Sequence, residues 1–175
     1  MSAARQIAVL AGLAGLFAVL SKKTLALPGA ALPPGSVGAL AVETVNRYFG
    51  GRIDPMILAA MAKIESGNNP LALRFEPHLP DYSVGLMQTL VGTAQWLWRD
   101  MGYRALPEPD AASLTDAATS MYFGAAYVDW LSNYRGVRRS EQWIVESYNG
   151  GPGNSNSQTR NHWQKYLAAK AALGG

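Results

Sequence analysis

The sequence has no cysteine, only two histidines, and no acidic residue before Glu43. The first absence excludes a disulfide scaffold and any thiolate metal site. The last concentrates positive charge at one end of the chain. Of the fifteen Lys and Arg, three (Arg5, Lys22 and Lys23) precede Glu43, and the remaining twelve balance the twelve Asp and Glu. The formal charge of +3 therefore belongs to the N-terminal stretch and not to a basic face. Nucleic-acid binding needs a local surplus of Lys and Arg and is not expected. The nearest basic cluster, Arg135, Arg138 and Arg139, reads as a solvated loop. Internal repeats are also missing, as is any sustained two-residue alternation of apolar and polar positions, so no strand pair is expected.

What is present divides at about residue 38. Residues 6 to 20, QIAVLAGLAGLFAVL, form an apolar run followed by Ser21-Lys22-Lys23 and the Pro/Gly-rich ALPGAALPPG. The run is short for a hydrocarbon layer of ~30 Å, which wants about 20 residues. A signal-type segment, an uncleaved membrane anchor and an organelle transit peptide all fit it. Residues 28 to 38 read as a linker, giving an N-terminal targeting or anchor segment over 1–38 and a single domain over 39–175. A chain of 175 residues, 49% hydrophobic, can build one core.

From residue 39 on, the pattern is helical. Asp54 can cap and Pro55 is free at a first helical position, while Ile57, Ala60 or Met61, and Ile64 share a face and Gly67 stops the run. Further helices are expected over 91–101, 116–131, 140–148 and 159–173. Glu65 closes the helix that begins at Pro55. Near the negative end of a helix dipole and beside Met61 and Ile64, its charged form is disfavoured. A carboxyl group kept protonated is what a general acid needs to protonate a leaving oxygen; an ordinary exposed glutamate is the alternative. Two later stretches carry polar groups of the kind that hold acetamido sugars. In SVGLMQTL, Gly85 permits a tight backbone, Leu86 and Met87 supply apolar surface and Gln88 an amide. In ESYNGGPGN, Tyr148 and Asn149 present a phenol and an amide at the edge of a glycine-rich break.

Glu65-Ser66, Gly85-Leu86-Met87-Gln88 and Ser147-Tyr148-Asn149-Gly150, in this order and spacing, resemble the lytic transglycosylase domain of the soluble-transglycosylase (SLT) type, within the lysozyme-like superfamily. The segment SLTDAATSMYFGAAYVDWL is similar to the family's helix leading into a Gly-x-x-Tyr-Leu pattern, so the resemblance spans roughly residues 43 to 170. It implies a mainly α, lysozyme-like domain with a cleft for peptidoglycan glycan strands or a related GlcNAc-containing polysaccharide, and a cell-envelope location unless residues 6–20 direct the chain to an organelle. Glu65 would be the catalytic acid/base. It would protonate the glycosidic oxygen and then take the proton of the muramoyl C6 hydroxyl, giving a 1,6-anhydro sugar. No metal or other cofactor is implied.

The resemblance assigns Ser66 to orienting Glu65 or substrate, Met87 and Gln88 to the cleft wall, Tyr148 to a hydrogen bond with Glu65, and Asn149 to an N-acetyl group. Each has a structural alternative: Met87 as core filler, Ser66 as a helix-end hydrogen bonder, Asn149 as a left-handed cap. The chain departs from the pattern in the long loop NNPLALRFEPHLPDYS. Its Phe75-Glu76-Pro77-His78 run is similar to some plant and algal lysozyme-like proteins. There Glu76 or Asp81 offers a second carboxylate, which would turn the reaction into hydrolysis as in goose-type lysozymes. A non-catalytic, membrane-anchored glycan binder is the third alternative. His162 stands where the family often has tyrosine and reads as a packing residue, His78 as a loop residue. Trp96 and Trp98 diverge by about 200° on a helix, which puts one of them near the surface; Trp96, Trp130, Trp143 and Trp163 otherwise read as core.

Overall fold

A computed structural model describes residues 31–174 of the chain. The apolar run at 6–20 lies outside the described residues. The first helix, α1 (Pro34–Phe49), starts inside the stretch expected to be linker. Its proline sits at the first turn, where a missing N–H costs nothing. Val37, Ala41, Val45 and Phe49 form its buried stripe, and Gly50, at φ 56°, ends it.

Helix α2 (Pro55–Ser66) begins where Asp54 and Pro55 predict, with Met56 N donating to Asp54 Oδ1 at 2.9 Å. Residues 57 to 62 are buried without a break, the signature of a helix wrapped by others. It lies against α1 on one side and α6 (Ser157–Ala172) on the other. Gly67 at φ 66° closes it.

Between α2 and α3 (Val91–Arg99) the chain forms a three-stranded antiparallel sheet, β1 (Leu73–Glu76), β2 (Asp81–Val84) and β3 (Thr89–Leu90). The register pairs Leu73 with Val84, Glu76 with Asp81 and Ser83 with Leu90. This corrects the expectation of no strand pair. Strands of four, four and two residues are too short to print an alternation, and Pro77 and Pro80 in the connecting turn mask them further.

Helix α4 (Ala117–Ser132) is the second all-round buried helix, capped by Asp116, whose Oδ1 accepts from Thr119 N at 2.8 Å. Helix α5 (Glu141–Gly150) starts at a Ser140 cap, and α6 carries a reciprocal Asn156–Thr159 capping box. The mainly helical expectation holds, and α3, α4, α5 and α6 begin and end within two residues of the expected positions. Arg139, expected in a solvated loop, instead lies over the Tyr134 and Trp143 rings. Trp96 and Trp98 are both half-buried. Trp96 packs edge-on against Trp130, while the Trp98 indole donates to Leu106 O. Trp130, Trp143 and Trp163 likewise sit at the edge of the core, only partly buried.

Candidate active site

The sequence motifs converge because the C-terminal ends of α2 and α5 and the turn between β2 and β3 are bonded to one another. The turn is shaped by Gly85 at φ 78°. A Cβ there would run into the Leu114 carbonyl and Ser120 Oγ, so only glycine fits. Gln88 is also left-handed, at φ 47°. Its amide nitrogen donates to Ala72 O at 3.0 Å and Gly85 O at 3.1 Å, which locks the conformation. Its Oε1 is buried with no hydrogen-bond partner among the described residues.

Ser66 fastens α2 to this turn. Its hydroxyl lies 2.7 Å from Leu86 O and 3.2 Å from Ala62 O, and it accepts from Asn69 N at 3.1 Å. The hydroxyl is thus committed to the backbone, the structural alternative for this residue. Met87 is fully buried, with its side chain against Gly124, and so is core filler. What Met87 offers the site is its carbonyl.

That carbonyl accepts from Tyr148 Oη at 2.9 Å, and the phenol oxygen lies 3.1 Å from Thr89 Oγ1. With its one proton given to Met87, Tyr148 receives the threonine hydroxyl. The expected Tyr148 bond to Glu65 is therefore replaced by these two. Burial, and next the Glu65 charge, push the phenol far above its ordinary value. Tyr127 packs on it at 5.1 Å between ring centroids. Asn149 precedes the end of α5 without a left-handed conformation, which removes the cap alternative. Its Oδ1 is a buried acceptor with no partner among the described residues.

Glu65 lies at the last turn of α2, its side chain only 9% exposed. Oε1 is 3.2 Å from Nε2 of His162, whose side chain is 11% exposed. The pair is at ion-pair distance, yet the imidazole nitrogen is not aligned for a hydrogen bond with that oxygen. His162 is the site residue that motif reasoning missed. Its signal was slight: a single imidazole in the second turn of α6, the helix packed against both α2 and α5.

Glu76 is held within the sheet, and Asp81 ties the sheet to the first turn of α3. Asp81 accepts from Tyr82 N at 2.7 Å and from Gly92 N at 2.8 Å. Glu76 accepts from Arg74 Nε at 2.5 Å and Ser83 Oγ at 3.0 Å. Among the described residues no three His, Asp or Glu come together as a metal site. A cavity of about 490 Å³ between Pro34, Lys63, Ile64, Lys165, Ala169 and Leu173 includes none of the motif residues.

Comparison with known proteins adds three findings. Residues 49–169 match the family described as transglycosylase SLT domain. The chain is 32% identical over 107 residues to the endo-type membrane-bound lytic murein transglycosylase A of Klebsiella pneumoniae, covering 58% of this chain and 49% of that protein. The protein of the same name from Salmonella paratyphi B matches equally, at 32% over 107 residues. The chain thus spans about half the length of these relatives. In fold it is similar to the 70 kDa soluble lytic transglycosylase of Escherichia coli, with a TM-score of 0.61 and 23% identity, covering 75% of this chain and 24% of that one. An inactive mutant of the lytic transglycosylase Slt from Pseudomonas aeruginosa gives a TM-score of 0.60 at 19% identity, covering 78% and 23%. With its domain matched over residues 49–169 and its helical fold shared with these proteins, the chain belongs to the transglycosylase SLT domain family.

Proposed function

We propose that this chain is a lytic transglycosylase of the cell envelope. It cleaves the β-1,4 bond between N-acetylmuramic acid and N-acetylglucosamine in peptidoglycan, with Glu65 as acid and then base. The observation that supports this best is the setting of Glu65. It is a nearly buried carboxyl at a helix end, next to the Ser66 hydroxyl that ties this helix to the turn carrying Gln88. In the first step the Glu65 proton passes to the glycosidic oxygen as the C1–O bond breaks, leaving a carboxylate and positive charge at C1. In the second, the carboxylate takes the proton of the C6 hydroxyl as O6 bonds to C1. No water is consumed, and the product is a 1,6-anhydromuramoyl end.

Gln88 Oε1 and Asn149 Oδ1, buried acceptors without protein partners among the described residues, suit the N–H groups of acetamido sugars. Hydrolysis would need a second carboxylate at the sugar. Glu76, bonded within the sheet, and Asp81, bonded to Tyr82 N and to Gly92 N of α3, already accept hydrogen bonds from the protein, which favours the lyase. Membrane association rests on residues 6–20; among the described residues no helix is long and apolar enough to cross a membrane.

The test is mass spectrometry of the muropeptides released from purified peptidoglycan by the full chain and by Glu65→Gln. Anhydro-muramoyl ends, one water lighter than hydrolysed ends and absent with the variant, are expected. Reducing ends, or undiminished release by the variant, would refute the proposal.

A further inference from the structure

His162 has no place in the chemistry just given, yet its Nε2 is 3.2 Å from Glu65 Oε1. That nitrogen is buried and has no aligned hydrogen-bond partner among the described residues. A buried polar atom left in this state is unfavourable and calls for an explanation.

The surroundings leave Glu65 as its counterpart. Helix α6 packs against α2 and α5. On α2 the other charged groups are the Asp54 cap, which faces Lys170, and Lys63, which lines the cavity described above. On α5, Glu141 is taken by Tyr166 and Lys170, Glu146 by Gln142, and the Tyr148 phenol by Met87 O. On α6 itself Arg160 and Lys165 are exposed. The helix is also fixed on both sides of His162. The Asn156–Thr159 capping box lies one turn before it, and Tyr166, stacked on Trp163 and bonded to Glu141 at 2.6 Å, lies one turn after.

A glutamate side chain turns about three bonds, and proton transfer requires one of its oxygens within about 2.6–3.2 Å of the leaving oxygen. We infer that His162 is a positioning residue for the acid/base: its Nε2 holds Oε1 of Glu65, so that Oε2 is the oxygen presented to the glycosidic bond. This rests on the assignment of Glu65 as acid/base. The 3.2 Å contact falls out of line; with its proton on Nε2 and a small turn of the ring into line, the imidazole donates to Oε1 whether Glu65 is the acid, where Oε1 is the carbonyl oxygen, or the carboxylate. The same contact therefore serves both steps, and the mobile proton stays on Oε2.

The test compares His162→Phe, which keeps a ring of similar bulk without the nitrogen, and His162→Gln, whose amide N–H can reach the same place. Both are made in the full chain and assayed on soluble, uncrosslinked glycan strands. The phenylalanine variant should lose about 10- to 100-fold in kcat, the scale of a small misplacement of a reacting group, with KM changed by less than about twofold. The glutamine variant should recover a large part of that loss. Equal losses in both variants, a loss confined to KM, or full activity in His162→Phe would each overturn the proposal.

A second readout needs no turnover and no folded phenylalanine variant. In protein labelled with ¹⁵N-histidine, the His162 Nε2 resonance should shift when Glu65 is changed to Gln. An unchanged resonance overturns the contact. If instead the resonance shifts while Glu65→Gln still degrades glycan, the contact stands and the acid/base assignment fails.

Discussion

Ser66 Oγ and the carbonyl oxygen of Leu86, twenty residues further along the chain, lie 2.7 Å apart. The same hydroxyl accepts from Asn69 N at 3.1 Å, so one small side chain joins the end of α2, the chain leaving it and the turn carrying Gln88. Ser66→Ala strands the buried Leu86 carbonyl, while Asn69 N keeps its bond to the Ser66 carbonyl at 3.3 Å. A stability loss of about 1–3 kcal/mol is expected from urea unfolding. A loss below about 0.5 kcal/mol would mean that the turn is held by other bonds.

Gly85 is restricted twice over, by φ 78° and by the Leu114 carbonyl facing its α-carbon. Gly85→Ala should cost at least about 2 kcal/mol, the left-handed penalty plus the overlap. Circular dichroism melting checks this, and an unaltered midpoint would contradict the turn geometry. Gly67, at φ 66° with open space around it, serves as the control, since Gly67→Ala meets only the backbone penalty.

Because Asp81 and Glu76 already accept hydrogen bonds from the sheet and the first turn of α3, Asp81→Asn and Glu76→Gln should keep glycan release within about threefold of the parent. Glu65→Gln should lower it by about 100-fold or more, the contribution of a general acid. A loss in either amide variant that matches Glu65→Gln would place a second carboxylate in the reaction.

Stability should decline on the alkaline side through the tyrosines. Burial, the largest cause in each, raises Tyr103, Tyr122, Tyr127, Tyr148 and Tyr166 above the ordinary tyrosine value, Tyr127 to about 12. Unfolded tyrosines release their protons near pH ~10. Above that pH the unfolded chain binds fewer protons than the folded one, so the stabilisation, complete below pH ~10, is lost as pH rises toward the folded values. Melting midpoints that fall steeply from pH 9 to 11, together with absorbance showing tyrosinate only on unfolding, are expected. A flat profile would mean that these rings are open to water.

Much of the fold was legible because helix boundaries are written locally. Asp54-Pro55, Asp116 and Ser140 mark starts that the structure keeps. Helix α1 was hidden because Pro33, Pro34 and Gly35 look like linker, although a proline in the first turn interrupts nothing. The sheet was hidden by its brevity. Within the site, the motif positions could be picked out, but not the atoms they contribute. Burial decides that the Ser66 hydroxyl is spent on the Leu86 carbonyl and that Met87 contributes only its own carbonyl, and burial is a property of the folded chain. The approach of His162 to Glu65 spans nearly a hundred residues, and no local pattern in one sequence carries it.

The turn at 85–88 receives its ties from Ser66 and Tyr148 through the carbonyls of Leu86 and Met87. Every amino acid brings the same carbonyl, so these fastenings do not depend on which side chains stand at 86 and 87. Those two positions answer to the volume of the core alone and are free to exchange one apolar shape for another. Gly85 and Gln88 on either side are bound by their left-handed backbone. The part of the site that looks like a signature is thus half chemistry and half upholstery, and substitutions at its centre should be tolerated where those at its edges are not.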